Sequence, residues 1–163
     1  MSQEIVENIE RGYEAVSRLD AEALVALCEP NVEFHSRVAE AEGVTYRGHD
    51  GVRDFIAGLS EAFEWVRTEP LEVIDGGDRA VVCNRFRARG RGSEVEVEER
   101  FFHAIRARHG KALRWAFYPS KAEPSKLSGF GSRRCRRRTP SPSYQPGAAA
   151  ASTGSTESQP AVN

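Results

Sequence analysis

Between Glu94 and Ile105 the chain reads EVEVEERFFHAI, and alternate residues fall into two sets. One set holds Val95, Val97, Glu99, Phe101, His103 and Ile105; the other holds Glu94, Glu96, Glu98, Arg100, Phe102 and Ala104. A period of two puts the sets on opposite faces of a half-buried strand. Four strands are predicted in succession, at about 65–74, 79–89, 94–107 and 111–118, with the turns DGGD, GRGS and RHG between them. An earlier strand is read from NVEFHSR, where Val32, Phe34 and Ser36 alternate with Glu33 and His35. Upstream the period lengthens to that of a helix. Ile5, Ile9, Tyr13 and Val16 share one face of a first helix. Asp20 caps a short second helix, AEALVALCE, which Pro30 is expected to stop. Val52, Phe55, Ile56, Leu59 and Phe63 share one face of a third, DGVRDFIAGLSEAFEW, after the loop VAEAEGVTYRGH. Three helices and a long antiparallel meander make an α+β domain.

Two hairpins can be registered. With Arg91-Gly92 as a two-residue turn, Arg89 faces Glu94, Arg87 faces Glu96 and Arg85 faces Glu98, a charge ladder on the polar face. RFRARGR is then a solvated ladder rather than a nucleic-acid stripe. The same register sets Val82 opposite Phe101 and Asn84 opposite Glu99 on the inner face. With Arg108-His109-Gly110 as a three-residue loop, Ile105 meets Leu113, His103 meets Trp115 and Phe101 meets Phe117.

Charge divides the chain. After Pro119 come seven basic residues (Lys121, Lys126, Arg133, Arg134, Arg136, Arg137, Arg138) and two acidic ones (Glu123, Glu157), a net of +5. The remaining 16 of 23 basic and 22 of 24 acidic residues net −6. Residues 120–163 are rich in Pro, Ser and Ala and carry no apolar periodicity, so they are read as a disordered tail and 1–119 as the domain. The arginine block is the one feature suited to nucleic acid or an acidic partner; a solvated tail is the plainer reading. Cys28, Cys83 and Cys135 are odd in number and far apart, which argues against a disulfide framework or zinc site and suits a reducing cytoplasm. The N-terminus has early acids and no apolar core of a signal peptide, and no run of about 18 apolar residues is present to span a membrane.

Glu99 and His103 are polar residues on an apolar face. Four strand residues separate them by about 13 Å, too far for an adjacent acid–base dyad but suited to bracketing a bound molecule. A buried polar group left unpaired costs about 1–3 kcal/mol, so each needs a partner, water or ligand; Asn84 is the expected partner of Glu99. His35 and His109 are read as surface residues, and no histidine pair has metal spacing.

The series YEAVSRLDAEALVALCEPNVEFH, YRGHDGVRDFIAGL, VIDGGDRAVV and ERFFHAIRARHGKALRWAFY resembles the SnoaL-like polyketide cyclase family, of the nuclear transport factor 2-like and ketosteroid isomerase-like superfamily, over about residues 3–118. The resemblance implies a cone: a curved antiparallel or mixed sheet packed against three N-terminal helices around an apolar pocket. It also implies a homodimer formed through the sheet and no metal or organic cofactor. The resemblance places Ser36 where ketosteroid isomerases carry a general-base aspartate, and His103 or Phe102, depending on one residue of hairpin length, where they carry an oxyanion-hole aspartic acid; the inward alternation favours His103. Without those aspartates, steroid isomerisation is not expected. Nor is there the Asp-Arg-Asp set of limonene epoxide hydrolases. The expected function is that of a pocket protein for an apolar, oxygen-bearing small molecule. The alternative is a cofactor-free cyclase or isomerase with His103 as acid–base and Tyr13, Asn84 or Glu99 as orienters, Tyr13 as a hydrogen-bond donor to a ligand carbonyl. The expected wall is Phe34, Ser36, Phe55, Leu59, Val82, Asn84, Glu99, Phe101, Trp115 and Phe117.

Overall fold

The computed structural model describes residues 3–35, 45–118 and 136–138. Helices α1 (Gln3–Ser17) and α2 (Ala21–Ala26) lead into strand β1 (Cys28–His35). Strand β2 (Tyr46–Arg47) and helix α3 (Gly48–Ala62) follow. Then come β3 (Phe63–Asp75), β4 (Arg79–Gly90), β5 (Glu96–Arg108), β6 (Lys111–Tyr118) and β7 (Arg136–Arg138). They form one curved mixed sheet in the order β2-β1-β6-β5-β4-β3-β7. The β1–β6 pair is parallel and the others are antiparallel. The helices close over its inner face. Ile9 and Tyr13 from α1, Leu24 from α2 and Val52, Phe55 and Ile56 from α3 are buried against Phe34, Val82, Ile105 and Trp115 of the sheet.

Local chemistry accounts for these elements. Asp20 caps α2 as expected, accepting the Ala23 N–H at 3.0 Å. The helix nevertheless ends at Ala26, and Pro30 lies inside β1 rather than stopping a helix. Proline has no N–H to give to a ladder, and the β1–β6 pairing is broken between Cys28 and Glu33, around it. Pro70 marks a second such shift, between Pro70 and Glu72 of β3, and bulges of this kind bend a sheet. The third helix stops at Ala62, so Phe63 and Trp65 belong to β3. The segment read as a loop, 38–49, contributes β2 and the first two residues of α3, and its part before residue 45 lies outside the described residues. Gly51 permits this packing, since a Cβ there would lie 2.8 Å from the Tyr46 carbonyl carbon.

Both hairpins depart from the expected register by two residues. Arg91-Gly92 does form the turn, with Gly92 at φ +71° and the Ser93 N–H donating to the Gly90 carbonyl at 3.1 Å. Residues 93–95 then stay outside the ladder, with the Val95 N–H held by Ser93 Oγ at 3.1 Å. Arg89 therefore faces Glu96 and Arg87 faces Glu98. Arg85 faces Arg100 and bonds Glu69 of β3 instead, at 2.5 and 3.2 Å. On the inner face Val82 faces His103, Asn84 faces Phe101 and Phe86 faces Glu99, so the expected Asn84–Glu99 pair does not form. In the next hairpin His109 and Gly110, at φ 50° and 77°, make a two-residue turn rather than a three-residue loop. A bulge between Arg106 and Ala107 restores the alternation, and Ile105 meets Trp115 while His103 meets Phe117. A shift of two keeps every side chain on its face.

The outer ladder carries a test. Arg89 Nη2 donates to Glu96 Oε1 at 2.6 Å. Arg89→Glu should lower stability slightly, and adding Glu96→Arg should recover the loss. Glu94→Arg should not. A double-mutant cycle that couples 89 to 94 instead would contradict the looped-out 93–95 segment.

Arg136–Arg138 pairs antiparallel with Val73–Asp75, so this part of the segment read as disordered extends the sheet beyond β3. The remainder of that segment lies outside the described residues.

Candidate functional site

Between α1, α3 and the inner face of the sheet lies a cavity of about 520 Å³. Helix α1 brings Tyr13 and Val16 to it, and α3 brings Phe55, Gly58, Leu59 and Ala62. The sheet supplies Phe34 from β1, Thr68 from β3, Asn84 and Phe86 from β4, Val97, Glu99, Phe101 and His103 from β5, and Trp115 and Phe117 from β6. The outward set of the alternation is absent from this wall because the pleat points it away.

The aromatic side chains brace one another. Phe34 lies 5.2 Å from both Phe55 and Trp115 between ring centroids, and His103 lies 4.2 Å from Phe117 and 5.6 Å from Trp115. Tyr13 stacks on His103 and meets Trp115 edge-on. Such offset and edge-to-face contacts fix ring orientations as well as burying area. Helix α1 is tied to β3 beneath them: Thr68 Oγ1 donates to the Tyr13 carbonyl at 2.9 Å, and the Thr68 N–H donates to Ser17 Oγ at 2.9 Å.

The centre of the site is the direct hydrogen bond between the Tyr13 hydroxyl and His103 Nδ1. His103 is 2 % exposed, and burial pushes its pKa down to about 3. The ring is therefore neutral near pH 7 and carries one proton. With Tyr13 donating to Nδ1, that proton sits on Nε2 as a donor. His103 Nε2, Asn84 Oδ1 and Trp115 Nε1 are buried and find no hydrogen-bond partner among the described residues. The residues that carry these atoms line the cavity, whose wall also holds Thr68 and Glu99, but the atoms themselves lie behind its surface, so a hydroxyl or carbonyl group would reach them only if neighbouring side chains shift.

Nearly every residue expected to line a pocket comes to this cavity: Tyr13, Phe34, Phe55, Leu59, Asn84, Glu99, Phe101, His103, Trp115 and Phe117. Val82 does not; it is fully buried in the core beside His103. Ser36 lies outside the described residues. The sequence reading did not include Val16, Tyr46, Gly58, Ala62, Phe63, Thr68, Phe86 and Val97. Phe86 and Val97 continue the alternations that carry Asn84 and Glu99, so the signal was present. Tyr46 and Thr68 gave none, because a two-residue strand has no period and β3 had no register.

Elsewhere, His35 is half-buried near Glu33 and His109 is exposed in its turn. Burial pushes the Cys28 thiol up to about 12, which makes it a poor nucleophile. Among the described residues, no three His, Cys, Asp or Glu side chains are grouped to hold a metal, and no helix is long and apolar enough to cross a membrane.

The chain is similar to several solved structures. An NTF2-like protein of unknown function from Burkholderia pseudomallei is 28% identical, with a TM-score of 0.64, over 78% of this chain and 98% of that one. TerC, co-crystallized with polyporic acid, is 26% identical, with a TM-score of 0.64, over 77% and 98%. A candidate SnoaL-like polyketide cyclase from Jannaschia sp. CCS1 shares the fold at 19% identity, with a TM-score of 0.60, over 72% and 88%. No protein with a curated description matches. Residues 9–115, which run from α1 to Trp115 and include the Tyr13–His103 pair, match the SnoaL-like domain, and the chain belongs to that family.

Proposed function

We propose that this protein binds a small, largely apolar, oxygen-bearing organic molecule in the cavity between α1, α3 and the sheet. The observation that carries the reading is the cavity itself, walled mainly by aromatic side chains together with His103, Asn84 and Trp115, whose buried neutral polar atoms have no partner among the described residues. A cavity of about 520 Å³ is of ordinary size for a cofactor or metabolite. A relative 26% identical to this chain crystallized with an organic small molecule, which agrees with the reading.

Catalysis is the second reading, and one contact favours it: the Tyr13–His103 hydrogen bond could pass a proton within the cavity. A cofactor-free cyclase would use His103 as acid–base. Against this stands the buried imidazole, whose low pKa makes it a weak base and which has no carboxylate facing it among the described residues. Binding is therefore the preferred reading.

The unit that carries the site is proposed to be residues 1–119, acting in the cytoplasm as a homodimer joined through the sheet. Trp65, half-buried on the outward face between Arg67 and Arg89, and the exposed Val95 support such a contact. Nucleic acid is not a proposed partner of the domain; only the arginine block is suited to it.

Naphthol, a neutral aromatic hydroxyl compound, provides the test. At about 0.3 kcal/mol per non-hydrogen atom for larger ligands and more for small ones, it should bind with a Kd of tens to hundreds of micromolar. Binding should quench Trp115, which lines the cavity, and the quenching should disappear in Trp115→Phe while Trp65 remains. Native mass spectrometry should show one ligand per chain. An absence of saturable binding by naphthol and by neutral aromatic ketones of similar size would sink the pocket reading.

A further inference from the structure

Glu99 is the one charged side chain on the cavity wall among the described residues. It lies on β5 directly across from Phe86, at the end of the cavity where Val97 is 41% exposed. Phe86 lies 5.7 Å from Phe101 and 5.8 Å from Phe63, so three rings gather at that end. Glu99 makes no hydrogen bond or ion pair among the described residues. Its neighbours in sequence do not share this state. Glu96 is bonded by Arg89, and Glu98 faces Arg87 across the ladder. The pleat explains the difference, because it puts those arginines on the outward face and Glu99 alone on the inward one. Among the described residues, no arginine or lysine lines the cavity.

A carboxylate beside aromatic faces, with no cation of its own, attracts an organic ammonium. The carboxylate supplies charge, and the ring faces add cation–π attraction. Both grow as water is partly excluded. The closed end of the cavity is different in kind, with neutral groups on His103, Asn84 and Trp115. Four strand residues separate Glu99 from His103, about 13 Å, the span of a two-ring body with a short side chain.

The geometry points to an aromatic amine as the ligand, with its ammonium at the mouth against Glu99 and the Phe86 and Phe101 rings and a hydroxyl or carbonyl at the closed end. This rests on the small-molecule reading above and specifies the charge of that ligand. Glu99 is then the residue that selects cations over neutral and anionic molecules of the same shape.

Three probes with one ring system separate the outcomes: naphthylethylamine, naphthylethanol and naphthylacetate, each titrated into the full chain by calorimetry. The amine should bind about tenfold more tightly than the alcohol, and the acetate most weakly. Added salt should narrow the gap. Glu99→Gln should erase the preference and leave the thermal midpoint unchanged, since Glu99 is exposed and holds no protein partner among the described residues. Equal affinity for amine and alcohol in the wild type, or a preference that survives Glu99→Gln, would overturn the inference and leave the pocket reading standing. Binding of none of the three would remove both.

Discussion

Tyr13→Phe should destabilise the protein by about 1–3 kcal/mol although it removes a single oxygen. The ring and its contacts with His103 and Trp115 are kept. What is lost is the only protein partner of the His103 ring nitrogens, because Nδ1 bonds to the Tyr13 hydroxyl and Nε2 has none among the described residues. With His103 only 2 % exposed, both nitrogens would be stranded away from bulk water. At roughly 2–8 °C per kcal/mol for domains of this size range, the thermal midpoint should fall by several degrees. His103→Phe should cost less, because it also removes an unpaired Nε2. The double change Tyr13→Phe/His103→Phe removes both partners and should cost less than the sum of the singles, a favourable coupling in a double-mutant cycle. A neutral Tyr13→Phe would mean that the contact contributes nothing to the fold. The same variants report on the site. If His103→Phe keeps the midpoint but loses naphthol affinity, the imidazole serves recognition. Lost stability with intact affinity would assign it to the core alone.

The strong periodic signals were legible and the local corrections were not. The face assignments of β4, β5 and β6 could be read because alternation depends only on parity, and both registration errors were shifts of two. This is why Asn84, Glu99, Phe101 and His103 arrive on one wall even though their expected cross-strand partners were wrong. The errors have physical causes. Ser93 satisfies the Val95 N–H with its own side chain, which takes three residues out of the ladder. A bulge at Arg106–Ala107 compensates a turn one residue shorter than expected. Neither leaves a mark in hydrophobic periodicity. Proline after a helical pattern signals a helix stop, but Pro30 also fits a strand where the ladder is already interrupted. The Tyr13–His103 contact spans 90 residues in sequence, and no local pattern could specify it. The two residues were singled out separately, and the fold joined them.

Acid should weaken this protein in a window that belongs to His103. An unfolded histidine titrates near 6.5, whereas burial holds the folded His103 down to about 3. The sign follows from proton uptake. Below pH 6.5 the unfolded chain binds a proton that the folded ring refuses, so stability is complete above that value and declines as pH falls. The slope is about 1.4 kcal/mol per pH unit until the folded value is approached. Carboxylates act lower. Glu29, held below its ordinary value mainly by its hydrogen bond from Arg108, and Glu22, held down mainly by that from Arg53, contribute stability above the unfolded carboxylate range near 4.3 and lose it on further acidification. Between about pH 4.5 and 6.5 the imidazole should therefore dominate the wild-type decline. His103→Phe should flatten that part of the profile while leaving the steeper loss at lower pH. An unchanged slope in the variant would show that the folded ring accepts a proton more readily than its burial implies. Affinity for naphthol should be level from pH 5 to 8, because the folded ring does not change charge there. A break in affinity or turnover within that range, present in the wild type and absent from His103→Phe, would mean that an occupied cavity raises the histidine pKa. That result would shift the balance from recognition toward acid–base chemistry.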